Sequence, residues 1–162
     1  MDFLTTNFGV IFAWVAVALA VFLPGMGSAK GVGIVGQAGA GLLSEDPSKF
    51  SKVLILVILP GTQGLYGFLT GILIMNSAGL MGGAAELSVA TGLQFVAAAL
   101  PIAIVGYFSA IAQAKAAAAG VGITAKHPEK STNGVVLSAM VETYAVLALL
   151  ISLLSIFNIQ VA

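Results

Sequence analysis

The stretch AMVETYAVLALLISLL, at residues 139–154, decides the fold, because it is a long apolar run that contains one carboxylate, Glu142. No Lys or Arg lies in this run to neutralise that charge. If the run crosses a membrane, a charged side chain at its centre costs from about 3 to more than 10 kcal/mol. Glu142 is therefore a candidate functional residue, and the question is which cation balances it.

The composition predicts a membrane protein. Of the 162 residues, 59% are hydrophobic and 7% are charged, whereas soluble domains carry about 25% charged residues. The absence of cysteine excludes disulfides and thiol chemistry, and zero formal net charge without a basic patch gives no indication of nucleic-acid binding. The first segment, MDFLTTN, has an Asp and no Lys or Arg, so we do not expect a cleaved signal peptide.

Four apolar segments, residues 8–43, 47–80, 87–125 and 128–159, each exceed the ~20 residues that a spanning helix needs. They lack the alternation of barrel strands, so they are expected to be helices. The predicted fold is an all-α membrane protein with four transmembrane helices. Pro47 and Pro128 each follow a polar residue and mark the starts of helices two and four.

Charge predicts the orientation of these helices. The six lysines are assigned to positions in or beside the connections that join helix one to two and helix three to four. By the positive-inside rule, both connections are expected to be cytoplasmic and both termini outside, where only Asp2 and Glu86 carry charge. The lysines are Lys30, Lys49, Lys52, Lys115, Lys126 and Lys130.

An internal repeat divides the chain into two helical hairpins, residues 1–80 and 81–162. GSAKG at 27–31 matches AQAKA at 112–116, and DPSK at 46–49 matches HPEK at 127–130. The spacing from Pro47 to Pro128, 81 residues, aligns Gly61 with Glu142, so one copy kept a carboxylate and the other has glycine. Because both hairpins point the same way, the repeat is parallel, unlike the inverted repeats of many alternating-access transporters.

Small residues crowd one end of helices one and three, which predicts close helix packing in a tight ring. The segment GVGIVG at 31–36 also matches the dinucleotide-binding pattern, but no βαβ unit surrounds it, so we assign it to helix packing. The small residues are Gly25, Gly27, Gly31, Gly33, Gly36, Gly39, Gly41, Ala110, Ala112, Ala114 and Ala116 to Ala119.

Polar groups on helices two and three could meet the charge of Glu142. Leu59, Thr62, Gln63 and Tyr66 share one helical face, and Gln113 is an amide among alanines and glycines. Carboxylate, hydroxyl, amide and main-chain oxygens together would suit a hard cation. Alternatively, Thr, Gln and Tyr only bond neighbouring helices, at about 0.6 kcal/mol each.

The motifs LPGTQGLYGF at 59–68, IAQAKAAAAG at 111–120 and MVETYAVL at 140–147 together resemble the proteolipid rotor subunit of V-type ATPases. The resemblance covers essentially the whole chain. It implies a homo-oligomeric ring of non-catalytic subunits, turned by ATP hydrolysis in other subunits. In sodium-translocating members, Na⁺ is held at the positions that match Glu142, Gln113, Thr62, Gln63 and the main-chain carbonyl of Leu59, while the tyrosine matching Tyr66 locks the site.

The resemblance also implies partners: lipid, central-stalk subunits at the cytoplasmic loops, and a stator subunit that supplies the arginine this chain lacks. The intact set of oxygen ligands favours Na⁺ and a bacterial plasma membrane, with H⁺ as the alternative ion. The competing classes of function are a stand-alone carrier or channel and a purely structural proteolipid.

Overall fold

The computed structural model describes residues 3–82 and 86–161, with residues 3–6 as backbone only, so Asp2 lies outside the described residues. Its helices are α1 (Phe3–Glu45), α2 (Phe50–Ile58), α3 (Thr62–Ser77), α4 (Val89–Lys126) and α5 (Ser131–Asn158). Helices α2 and α3 are the two halves of one membrane span. The predicted four spans are confirmed, since four stretches of the described residues are long and apolar enough to cross a membrane: Asn7–Glu45, Pro47–Ser77, Val89–Lys126 and Pro128–Asn158.

The two predicted prolines open the second and fourth spans. Pro47 and Pro128 each begin a short 3₁₀ turn that leads into the following helix, where a missing N–H costs nothing. Asp46 caps the first of these turns by accepting a hydrogen bond from the Ser48 N–H at 3.1 Å. His127 occupies the equivalent position, but its side chain makes no capping bond.

Glycine and alanine bring the helices close together, as the sequence predicts. The most extensive helix pairing joins α1 to α4, the two helices that carry most of the small residues. A Cβ atom on Gly27 would lie 2.8 Å from the Cα atom of Tyr107, and one on Gly134 would lie 2.7 Å from that of Gly120. These backbones could not approach so closely with larger side chains.

The prediction that all six lysines lie in or beside connections is wrong for Lys30 and Lys115, which lie inside helices α1 and α4. At 1.5 Å per residue, they are about 22 Å and about 16 Å from the ends of these helices. Both helices are longer than a bilayer requires, so each continues past its lysine before it reaches the connection. Lys49 and Lys52 do lie at the connection and donate to the carbonyls of Ala125 and Pro128, each at 3.0 Å.

Candidate ion-binding site

A proline breaks the second span at mid-helix. Pro60 is fully buried and lies in the 3₁₀ turn Leu59–Gly61 between α2 and α3. Because proline has no N–H and its ring crowds the preceding turn, the regular helical ladder cannot continue through it. The carbonyl of Leu59 accepts the Thr62 N–H and also the Thr62 hydroxyl, at 3.0 Å. The break takes the form of this 3₁₀ turn.

Glu142 lies on α5 and is held from two other helices. The hydroxyl of Tyr66, on α3, donates to its Oε1 atom. The amide of Gln113, on α4, donates to its Oε2 atom at 3.3 Å. Each carboxylate oxygen thus has one donor, and the side chain is only partly exposed. This arrangement fixes the direction in which the carboxylate points.

A buried amide pair connects Glu142 to the broken span. The Nε2 atom of Gln63 donates to the Oε1 atom of Gln113 at 2.6 Å, and both side chains are fully buried. The Thr62 hydroxyl approaches the Oε1 atom of Gln63 at 3.4 Å. The one proton of the Thr62 hydroxyl is shared between the Leu59 carbonyl and Gln63 in a bifurcated hydrogen bond. With that shared bond, the series runs from the Leu59 carbonyl through these amides to the carboxylate. Such a buried polar network is stable only because its members are paired.

Two serines belong to this network and were missed in the sequence. The Ser109 hydroxyl accepts from Gln63 at 3.5 Å and donates to the Val141 carbonyl at 3.2 Å. The Ser138 hydroxyl donates to the Gln113 carbonyl at 3.3 Å. Ser109 precedes Gln113 by four residues, and Ser138 precedes Glu142 by four, so helical spacing places each on the same face as a predicted residue. That spacing was the available signal.

The structure thus brings all six predicted residues into one cluster built from the 3₁₀ turn Leu59–Gly61, α3, α4 and α5. Glu142 takes part in no ion pair of the described residues, whose ion pairs, Lys49–Asp46 and His127–Glu129, lie at the connections. The cluster offers carboxylate, hydroxyl, amide and main-chain oxygens around a single negative charge. Oxygen ligands of this kind suit a hard cation and do not indicate a soft or redox-active metal.

Comparison with known proteins matches this chain to a family. The sequence model of the ATP synthase C subunit family matches the chain twice, at residues 15–74 and 96–155. The second match begins 81 residues after the first, which is also the offset from Pro47 to Pro128 and from Gly61 to Glu142. The duplication found in the sequence is therefore that of a family unit.

Two relatives show how far the likeness extends. The V-type sodium ATPase subunit K of Enterococcus hirae is 52% identical over 159 residues, which cover 98% of this chain and 99% of the relative. The A-type ATP synthase subunit K of Methanocaldococcus jannaschii is 37% identical over 150 residues, which cover 93% of this chain and 64% of that relative. The first likeness covers almost the full length of both chains.

Proposed function

Since this chain belongs to the ATP synthase C subunit family, we propose that it is a rotor-ring subunit of a V-type ATPase that carries Na⁺ across the membrane on Glu142. It is a multi-pass membrane protein and a non-catalytic subunit, and ATP is hydrolysed elsewhere in the complex. We choose Glu142 as the ion carrier because it lies at the end of the series of hydrogen bonds that begins at Leu59. The nearly full-length sodium ATPase relative supports Na⁺ over H⁺.

In this proposal, the ligands of Na⁺ are the carboxylate of Glu142, the hydroxyl of Thr62, the amide oxygens of Gln63 and Gln113, and the carbonyl of Leu59. Tyr66 acts as a lock, because its hydroxyl bond to Glu142 holds the carboxylate in place. With Na⁺ bound, the site is close to neutral and can pass through lipid without the cost of an unpaired charge.

Release of the ion requires another positive partner. This chain contains no arginine, and Glu142 forms no ion pair with a lysine among the described residues. We therefore assign that partner to an arginine on a stator membrane subunit. We also place the lysine-bearing connections in the cytoplasm, where stalk subunits would contact them, with the termini outside and the ring in a bacterial plasma membrane.

Labelling with a hydrophobic carbodiimide tests the proposal, since this reagent attacks a protonated, lipid-accessible carboxyl group. We expect modification of Glu142 in the assembled ring, slowed by millimolar Na⁺ and not by K⁺. A labelling rate that does not change with Na⁺ would favour H⁺ as the coupled ion. The variant Glu142→Gln is the control, and it is expected to assemble, to resist labelling and to lose coupled transport. Ion transport by the purified protein alone in liposomes would instead support a carrier or channel.

A further inference from the structure

Helix α5 carries a stripe of exposed side chains whose counterparts in the first hairpin are fully buried. Leu137, Tyr144 and Ile151 are 61%, 67% and 54% exposed. Their counterparts 81 residues earlier, Leu56, Gln63 and Thr70, are each 0% exposed. Other positions of α5 do not differ in this way: Leu150 is 50% exposed and its counterpart Leu69 is 45% exposed. One particular face of the second hairpin therefore lacks the cover that its counterpart has.

At Gln63, the cover on the first hairpin comes from the second hairpin of the same chain. Gln63 enters between α4 and α5, where it bonds Gln113, and Tyr66 bonds Glu142 beside it. Because the repeat is parallel, the second hairpin presents the same face in the same direction. Its equivalent cover is the first hairpin of a neighbouring copy, at the positions that correspond to Gln113 and Glu142. At the 81-residue offset of the two family-model matches, those positions are Val32 and Gly61, so Val32 and not Ser28 of the GSAKG segment corresponds to Gln113.

An open groove exists at these two positions. Its volume is about 490 Å³, and it is lined by Val32, Ile58, Leu59, Gly61, Thr62 and Leu65. A Cβ atom added to Gly61 would meet only a methyl group of Val32, at 3.8 Å. The lost carboxylate has thus left an almost entirely apolar space next to the α2–α3 break.

We propose that the Tyr144 ring of one copy occupies the Gly61 groove of the adjacent copy, with Leu137 and Ile151 packing above and below it. The position that corresponds to Glu142 in the first hairpin would then hold an aromatic side chain at the contact between two subunits. This continues between copies the contact that already joins the two hairpins within one chain. The tyrosine would pack against Leu59 and Thr62, and so support two proposed ligands of the neighbour. The inference rests on ring assembly in this family and not on the identity of the ion.

Photocrosslinking tests the contact in the assembled ring. Tyr144 is replaced by photoreactive benzoylphenylalanine, and the matched control places the same residue at Leu150. We expect irradiation to give covalent dimers only from position 144, with the link mapped by mass spectrometry to residue 32 or to residues 58–65 of a second copy. Links from position 144 to lipid alone, links within one chain, or equal dimer yields from both positions would each overturn the proposal.

A size exchange gives a second, independent test. Gly61→Leu places a side chain in the groove, and its Cβ atom meets only Val32, at 3.8 Å. It is expected to reduce the yield of intact ring on detergent extraction by severalfold, and Tyr144→Ala added to it is expected to restore that yield. Gly122→Leu is the control, because both Gly122 and its counterpart Gly41 are exposed with nothing within 4 Å of an added Cβ. Normal ring yield from Gly61→Leu, or failure of Tyr144→Ala to restore it, would contradict the contact.

Discussion

At the scale of single residues, Tyr66 tests whether the hydrogen bond to Glu142 retains the ion. Tyr66→Phe removes the hydroxyl that donates to Glu142 and keeps the ring. A hydrogen bond to a charged group contributes about 1.5–3 kcal/mol, so the Na⁺ concentration that halves carbodiimide labelling should rise roughly tenfold or more. Tyr107→Phe, on α4 outside the cluster, should leave this Na⁺ concentration unchanged. Equal protection of both variants by Na⁺ would show that the hydroxyl does not help to hold the ion.

The amide pair tests whether the network acts as a unit. Gln63 and Gln113 bond each other at 2.6 Å and are fully buried, so Gln63→Ala and Gln113→Ala should each weaken protection by Na⁺. Their double variant should be little worse than either one, with a coupling of about 0.5–3 kcal/mol. The same labelling assay measures all three. Gln94→Ala, at an exposed position of α4, is the control. If the losses of Na⁺ protection in the two single variants add up in the double variant, the two amides act independently.

At the scale of elements, the sequence predicted the four spans and their proline starts, because length, apolar composition and proline chemistry are local properties. It also predicted the face of Leu59, Thr62, Gln63 and Tyr66, since helical spacing is regular. It could not predict which hydrogen bonds join three helices, because the Gln63–Gln113 bond depends on how far apart the packed backbones lie. Lys30 and Lys115 fall inside the predicted segments 8–43 and 87–125, yet they were assigned to the connections, because apolar content does not mark where a helix leaves the bilayer.

The close approach of α4 and α5 gives a prediction at this scale. A Cβ atom on Gly134 would lie 2.7 Å from the Cα atom of Gly120, and the backbone cannot move aside as a flexible side chain could. Gly134→Ala should therefore destabilise the protein by about 1–3 kcal/mol, as overpacking does. Gly122→Ala, with open space around the added methyl, should be neutral or stabilising by about 0.5–1 kcal/mol. Unfolding in detergent, followed by helical circular dichroism, compares them, and equal stability of the two variants would exclude the clash.

At the scale of the whole molecule, the four membrane spans carry one carboxylate at the repeat position, because Gly61 occupies in the first hairpin the position that Glu142 occupies in the second. A ring of given girth then moves fewer ions per turn than one built from unduplicated hairpins with one carboxylate each. Less work per turn lets the same torque drive ions against a steeper gradient, so the proposed rotor is better suited to pumping than to ATP synthesis. Two coupled ions per chain in a transport assay would contradict this.

The repeat further predicts what is needed to rebuild the second site. In Gly61→Glu alone, the new carboxylate would face Val32 and, in the proposed contact, Tyr144 and Leu147 of the next copy, so it lacks oxygen ligands. We expect it to add a second carbodiimide adduct that Na⁺ does not prevent. Adding Val32→Gln, Tyr144→Gln and Leu147→Tyr supplies the counterparts of Gln113, Gln63 and Tyr66, and should make that adduct sensitive to Na⁺.

The rebuilt site should still bind Na⁺ more weakly than the site at Glu142, for a reason in the backbone. Val141 is the counterpart of Pro60, and α5 runs unbroken from Ser131 to Asn158. The Met140 carbonyl therefore lies in a regular helix and not in a 3₁₀ turn, as the Leu59 carbonyl does. Intact-mass counting of adducts across a Na⁺ titration measures both sites in one sample. The adduct at position 61 should disappear at higher Na⁺ than that at Glu142, and adding Val141→Pro should narrow the gap. Na⁺ protection of position 61 in Gly61→Glu alone would show that the carboxylate suffices, and that its partners do not select the ion.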